Sequence, residues 1–194
     1  MGRPNEDSKH LRSLQDYYAK HRLLPSYSGI SELLGFSAKN AAAALASRLK
    51  RAGYLRQTPD RRLTPTQRFF ERPLASSRVS AGFPSPATED LHDTLTLDQY
   101  LVRHPSKTVL VNVKGDSMID AGIMPGDMVV VEKRPSAQPG DIVVAIVDNE
   151  YTVKRLAREH GRFVLKPENK AYPVLRPKEL EIFGVVISSV RKYK

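Results

Sequence analysis

The residues of this chain best suited to chemistry are a serine two positions after a glycine and a lysine on a later segment that alternates between apolar and polar residues. Ser117 stands in Gly115-Asp116-Ser117-Met118, and Lys154 in Thr152-Val153-Lys154. A serine hydroxyl becomes a nucleophile when a base takes its proton, and lysine is such a base if apolar surroundings keep its amine neutral. The ordinary alternative is a turn serine and a surface lysine on an edge strand. Taken alone, the two residues favour that alternative.

Apolar runs around the serine, and alternation around the lysine, predict the strands that must position the two residues. One run, residues 109–113, precedes the serine, and another, 128–131, follows a Pro-Gly turn. Alternation of apolar and polar residues puts Lys154 on a strand, and Asp148-Asn149 predicts a hairpin turn of the primed kind. A short helix is expected over 95–102. The predicted strands are 108–113, 128–133, 141–147, 150–157, 162–166 and 181–190.

Helical periodicity predicts three helices before residue 53. Leu11, Leu14 and Tyr18 recur at helical spacing and give a first helix over about 9–21. A second, carrying Ile30, is capped by Ser26 and ended by Gly35. The third, expected over about 38–52, has Ser37 as its cap, Gly53 at its end, and a buried stripe of Leu45, Leu49 and Ala52.

Short helices joined by a turn that contains glycine, followed by an arginine-tipped hairpin over 54–64, are typical of winged helix-turn-helix DNA-binding domains. The third helix would then enter the major groove. Asn40 can pair with adenine or, alternatively, cap the start of the helix. The candidate groove residues are Ser37, Lys39, Asn40 and Ala43. The candidate phosphate-binding cations are Lys50, Arg51, Arg56, Arg61 and Arg62.

Charge and composition narrow the class of partner. Of the formal net charge of +10, residues 1–72 contribute most, with 14 lysines and arginines against 6 carboxylates. This excess indicates a polyanion such as nucleic acid, the alternative being a solubilising surface. Without cysteine there is no thiol or disulfide chemistry, which fits a reducing cytoplasm. The scattered histidines predict no metal site or cofactor, and no apolar run is long enough to span a membrane.

Several motifs, in order, resemble the LexA and UmuD family of self-cleaving proteins over about residues 79–190. They are Gly115-Asp116-Ser117-Met118-Ile119-Asp120, Gly140-Asp141-Ile142-Val143, Thr152-Val153-Lys154 and Phe183-Gly184-Val185-Val186-Ile187. Upstream, Ala81-Gly82-Phe83-Pro84 looks like the scissile bond and its flank. A weaker similarity to the winged helix of LexA covers residues 9–65. Ala43-Ala44 and Ala38-Lys39 depart from the LexA pattern, which bears on the operator sequence rather than on DNA binding.

The resemblance implies an α+β chain of two domains. A winged helix-turn-helix is expected over residues 1–65, a linker with the cleavage site over 66–95, and a mostly β domain of the LexA and signal-peptidase kind over 96–194. Proline-rich composition supports an extended linker. Gly82 has no side chain to obstruct the carbonyl of Ala81.

The function implied is that of a repressor of DNA-damage genes, bacterial, cytoplasmic and associated with the nucleoid. Ser117 would attack Ala81, Lys154 would act as base, and the turn suggests the backbone N–H groups of Asp116 and Ser117 as oxyanion donors. The expected partners are operator DNA, a RecA filament on single-stranded DNA, and a second copy bound around residues 181–190. Two alternatives stay open: a UmuD-like accessory subunit of a translesion DNA polymerase, and a phage-type repressor.

Overall fold

The computed structural model describes residues 6–38, 40–75, 93–134 and 136–193, which form two compact units, Met1–Leu97 and Asp98–Lys194. The chain is α+β, with a helical N-terminal region and a β-rich C-terminal unit. Its helices are α1 Glu6–His21, α2 Tyr27–Leu34, α3 Ala41–Arg51 and α4 Leu97–Leu101. No helix in the described part of the chain is long and apolar enough to cross a membrane.

The ends of α2 follow from its sequence. Ser26 Oγ accepts a hydrogen bond from the backbone N–H of Gly29 at 3.2 Å, which caps the helix as predicted. Gly35 ends the helix with φ of 66°, a left-handed conformation that costs glycine nothing. Apolar side chains from α1, α2, α3 and the segment that follows α3 form one core. Its buried members are Leu11, Leu14, Ile30, Ala42, Leu45, Leu49, Leu55 and Phe69.

The third helix differs from its prediction at both ends. It begins at Ala41 with Asn40 in the cap position, so Ser37 does not cap it. The side chain of Asn40 is exposed and makes no capping hydrogen bond. Ala52 was expected in the buried stripe but is exposed, because the helix ends at Arg51 and its buried face instead includes Ala42 and Ala46.

An antiparallel hairpin follows α3, as predicted. Its strands are β1, Leu55–Gln57, and β2, Leu63–Pro65. The described residues before 76 and after 92 form regular structure as well: a 3-10 helix over Gln67–Phe70 buries Phe69, and β3, Arg72–Leu74, pairs with β4, Asp93–Leu95. Both ends of the predicted linker therefore take part in regular structure.

The C-terminal unit is built on an antiparallel sheet that has six strands among the described residues. They are β5 Thr108–Asn112, β6 Met128–Glu132, β7 Ile142–Val147, β8 Glu150–Glu159, β9 Arg162–Lys166 and β10 Glu181–Val190. In the sheet their order is β5-β6-β10-β7-β8-β9. Each predicted strand is confirmed to within two residues of its expected bounds. Positive φ angles at Asp148 (51°) and Asn149 (65°) confirm the primed turn between β7 and β8.

Strand β10 lies in the interior of this sheet, paired with β6 on one edge and β7 on the other. Its nearly continuous apolar run is therefore explained without a partner chain. A Cβ on Gly184 would lie 2.7 Å from the carbonyl oxygen of Glu132 and 2.8 Å from Val131 Cγ1, so only glycine fits there. Strand β7 pairs with Glu181–Val185 and β6 with Val185–Val190, so each edge of β10 is paired over only part of its length, and the contact with a second copy stays a prediction.

Candidate active site

Ser117 lies in a tight turn that leaves the end of β5. Gly115 has φ of 83°, which allows the chain to reverse immediately before the serine. Met118 is buried among the valines of the sheet, and a 3-10 helix over Ile119–Ala121 follows it. The turn is thus anchored by an apolar side chain directly after the nucleophile candidate, while Ser117 itself is only partly buried.

Lys154 approaches Ser117 from β8, where it pairs with Val143 of β7. The lysine is 8% exposed, and its Nζ lies 2.8 Å from Ser117 Oγ. Along the chain 37 residues separate the two. The sheet order puts β6, β10 and β7 between β5 and β8, so curvature of the sheet must bring the two strands together.

Two further oxygen atoms complete the surroundings of the Lys154 amine. Nζ lies 2.9 Å from Thr152 Oγ1 and 2.9 Å from the carbonyl oxygen of Val153. An ammonium can donate to all three oxygens. A neutral amine can donate to Thr152 and Val153 and accept the hydroxyl proton of Ser117 with its lone pair. The same geometry therefore accommodates both charge states, which a proton acceptor requires.

Burial lowers the pKa of Lys154 below its usual value, because desolvation disfavours the ammonium. Neighbouring apolar side chains contribute to this burial: Val153 on the same strand and Met118 beside the serine both pack into the adjoining core. The electrostatic effect thus follows from packing. It favours the neutral amine that general-base chemistry needs.

A cleft of about 180 Å³ opens beside the two residues. The end of β5, the serine turn and the start of β8 form its walls. Apolar residues dominate the lining, and the exposed ring of Tyr151 stands at its edge. The lining residues are Val111, Asn112, Val113, Lys114, Gly115, Ser117, Met118, Val144, Tyr151, Thr152, Val153 and Lys154. The cleft is suited to an extended segment with small or apolar side chains.

The backbone N–H groups of Asp116 and Ser117 find no acceptor among the described residues. By contrast, the carbonyl oxygens of both residues accept hydrogen bonds, from Asn169 Nδ2 at 3.1 Å and from the Glu168 N–H at 2.9 Å. The two carbonyl oxygens of the turn are therefore hydrogen-bonded, whereas its two N–H groups beside Ser117 have no acceptor among the described residues.

Comparison with known proteins identifies the family of this region. A family model described as Peptidase S24-like matches residues 73–187, more than half of the chain and the whole of the cleft.

The chain belongs to the LexA and UmuD family of Peptidase S24-like proteins.

Proteins similar to this S24 chain include LexA repressors and protein SamA. The LexA repressor of Caldicellulosiruptor saccharolyticus is 37% identical over 177 residues, which is 87% of each chain. The LexA repressor of Bacillus anthracis is 35% identical over 179 residues, or 86% of each chain. Protein SamA of Salmonella typhimurium is 47% identical over 120 residues, 62% of this chain and 85% of SamA.

The candidate DNA-contact residues of this S24 chain lie on the N-terminal unit. Ser37, Asn40 and Ala43 are exposed before and along the start of α3. Lys50 donates to Gln57 Oε1 at 3.3 Å, and Arg62 pairs with Asp60 at 3.1 Å. The remaining cations, all exposed, are Arg51, Arg56 and Arg61. Lys39 lies outside the described residues, as does the expected cleavage site Ala81-Gly82.

Four residues near Ser117 escaped the sequence prediction. Thr152 was detectable, because it precedes Lys154 by two positions on a strand and so shares its face. The other three, Glu168, Asn169 and Tyr172, follow β9 and meet the serine turn across more than fifty residues of chain. Nothing in the sequence pattern links that segment to the motif around Ser117.

Proposed function

We propose that this chain is a LexA-like transcriptional repressor of DNA-damage genes that inactivates itself by cutting its Ala81–Gly82 bond. The observation that carries the proposal is the 2.8 Å contact between Nζ of the buried Lys154 and Ser117 Oγ, in a chain of the S24 family. A hydroxyl beside an amine whose pKa is lowered is the pair that nucleophilic catalysis without histidine requires.

In the first step Ser117 Oγ attacks the carbonyl carbon of Ala81 while neutral Lys154 takes the hydroxyl proton. The N–H groups of Asp116 and Ser117 stabilise the oxyanion that forms. The carbon–nitrogen bond then breaks, and Lys154 passes the proton to the departing amine of Gly82. The result is an ester between Ala81 and Ser117.

In the second step a water molecule attacks this ester, and Lys154 again takes the proton. The proton returns to Ser117 Oγ as the ester breaks, which restores the starting pair. The products are residues 1–81, ending in a carboxylate, and residues 82–194, beginning with an amine. Lys154 thus serves twice as base and twice as acid.

Operator binding is the proposed task of the N-terminal unit, as a winged helix-turn-helix. The exposed start of α3 would read bases through Asn40, whose amide is not used as a helix cap. Exposed arginines along α3 and the hairpin would hold phosphates, in line with the excess positive charge of residues 1–72. A homodimer would bind two half-sites at once, which raises the effective concentration of each reader.

Cleavage would end repression, because a DNA-binding unit cut from its dimerisation domain is no longer held at a high effective concentration near its half-site. A RecA filament on single-stranded DNA is the proposed trigger. It would need to supply no catalytic group, only to bind the cleavage-competent state preferentially. The proposed setting is the bacterial nucleoid.

A UmuD-like accessory subunit of a translesion polymerase is the second candidate. The similarity to SamA, 47% over 62% of this chain, supports it. The LexA repressors match 86–87% of this chain, a length that requires the helical region as well. Sequence-specific duplex binding by the full chain is therefore expected for the repressor and not for the accessory subunit.

The decisive experiment is incubation of the purified full chain, alone, at about pH 9–10, where an ordinary lysine begins to lose its proton. We expect slow cleavage into residues 1–81 and 82–194, measured by mass spectrometry. Ser117→Ala and Lys154→Ala should abolish it. Gly82→Glu should block the approach to Ala81 with the pair intact. Intact wild-type chain after long incubation, or cleavage of the Ser117→Ala variant, would disprove the assignment.

A further inference from the structure

We propose that the segment Glu168–Tyr172 positions the nucleophile turn, and that Asn169 orients the N–H donor of the oxyanion site through the Asp116–Ser117 peptide. The inference rests on the proposed function of Ser117 and Lys154. Asn169 and Tyr172 are positioning residues, since neither is required to touch the reacting atoms. Both residues form hydrogen bonds with Asp116, which directly precedes Ser117.

Backbone hydrogen bonds join the segment to the turn on both sides of Met118. The N–H of Glu168 donates to the carbonyl oxygen of Ser117 at 2.9 Å, and the N–H of Asp120 donates to the carbonyl oxygen of Glu168 at 2.8 Å. Two such bonds in opposite directions hold the turn as a neighbouring strand would. The position of the nucleophile therefore does not depend on its own short turn alone.

Side chains of the segment hold Asp116 at two points. Asn169 Nδ2 donates to the Asp116 carbonyl oxygen at 3.1 Å, and the Tyr172 hydroxyl donates to the Asp116 carboxylate. The amide of Asn169 is itself fixed, because its Oδ1 accepts the N–H of Ala171 at 3.0 Å. Asp116 thus has its backbone and its side chain tied to the same five-residue segment.

The hydrogen bond to the Asp116 carbonyl has a consequence for Ser117. This carbonyl and the N–H of Ser117 belong to one planar trans peptide, in which they point in opposite directions. Fixing the carbonyl towards Asn169 therefore fixes the N–H of Ser117 on the other side, where no described residue accepts it. The N–H of Ile119 also donates to this carbonyl oxygen, at 3.3 Å, so Asn169 and Ile119 together set the direction of an oxyanion donor, and neither needs to contact the substrate.

The segment is tied in turn to the strand that bears the base. Arg155, next to Lys154 on β8, pairs with the Glu168 carboxylate and donates from Nη1 to the Gly140 carbonyl oxygen at 2.6 Å. Strand β8 therefore carries the base, Lys154, and its next residue, Arg155, holds the segment that positions Ser117. A displacement of about 1 Å in such a site can lower the rate on the order of a hundredfold. Loss of the contacts that hold this segment should therefore lower the rate of cleavage.

The test is the rate of alkaline self-cleavage of full chains carrying Asn169→Ala or Tyr172→Phe. Asn169→Ala should slow cleavage by at most the order of 10²-fold, the cost of losing one oxyanion donor, because the Ile119 N–H still donates to the Asp116 carbonyl oxygen. Tyr172→Phe, which keeps the ring, should slow it less. Matched controls are Lys170→Ala, exposed in the same segment, and Tyr100→Phe, exposed elsewhere in the C-terminal unit, both at the wild-type rate. The hydrogen bond to Asp116 and its negative charge raise the pKa of Tyr172, so the hydroxyl keeps its proton further into the alkaline range.

A pH profile separates positioning from general damage. The midpoint of the profile reports the pKa of Lys154, and it should stay unchanged while the plateau rate falls. Wild-type rates in both variants, or a shifted midpoint that places the effect on the lysine, would overturn the inference. Either result leaves the proposed function intact as long as the wild-type chain cuts itself. A wild-type chain that fails to cut, or a Ser117→Ala chain that cuts, would instead overturn the proposed function.

Discussion

Self-cleavage of the wild-type chain should accelerate with pH until Lys154 has lost its proton. The reacting form needs a neutral amine beside Ser117 Oγ, at the 2.8 Å distance that both charge states accommodate. Below the pKa of the lysine the neutral fraction rises tenfold for each pH unit. An ordinary lysine, with a pKa of ~10.4, is only about one part in a thousand neutral near pH 7.4.

Burial shifts this profile to lower pH. Because desolvation of Lys154 lowers its pKa, the logarithm of the rate should rise with a slope of one and level off below ~10.4. The folded chain then binds fewer protons than the unfolded chain between the folded and unfolded pKa values. Its stability should therefore rise with pH in that window and not fall.

The assay is single-turnover cleavage followed by mass spectrometry, in buffers from about pH 6 to 11 and at two protein concentrations. Lys154→Arg is the informative variant, because a guanidinium keeps its charge throughout this range. It should stay intact at every pH. Cleavage by Lys154→Arg, a rate that falls with rising pH, or a midpoint at or above ~10.4 would refute the general-base reasoning.

Three further predictions concern DNA binding and stability. Asn40→Ala should weaken binding to operator DNA more than to random duplex, whereas Arg61→Ala should weaken both alike and reduce the salt slope by about one, as measured by titration at several salt concentrations; equal losses for Asn40→Ala would exclude base reading. Arg191→Gln removes the two Arg191 hydrogen bonds that, together with one from the Met124 N–H, lower the pKa of buried Asp127 to about 2. A carboxyl group whose pKa is lowered by folding stabilises the folded chain above about pH 3.9, and this contribution disappears as the pH falls towards about 2. The loss in the free energy of unfolding caused by Arg191→Gln, measured with urea, should therefore be larger at pH 7 than at pH 3. Equal losses at the two pH values would contradict this. Gly184→Ala should cost about 1–3 kcal/mol in the free energy of unfolding, because its Cβ has no room; an unchanged urea midpoint would show that the sheet yields there.

The sequence by itself determined the local elements, because their signals are local. Apolar runs and alternation together predicted the six strands that the structure describes in the C-terminal sheet, and Asp148-Asn149 predicted the turn that joins two of them. Ser26 and Gly35 set the ends of α2 through a side-chain oxygen and a left-handed backbone. The start of α3 was missed because Ser37 and Asn40 both satisfy the same capping rule, and sequence alone cannot choose between them.

Only the tertiary structure decided how the site is assembled. Motifs suggested that Ser117 and Lys154 act together, but their 2.8 Å contact depends on a sheet order that puts three strands between theirs. The burial that lowers the pKa of Lys154 is likewise a property of packing. The ties from Asn169 and Tyr172 to Asp116 span more than fifty residues. Periodicity reports which face of an element is buried, whereas contacts at such separation depend on topology, and topology has no local signature in the chain.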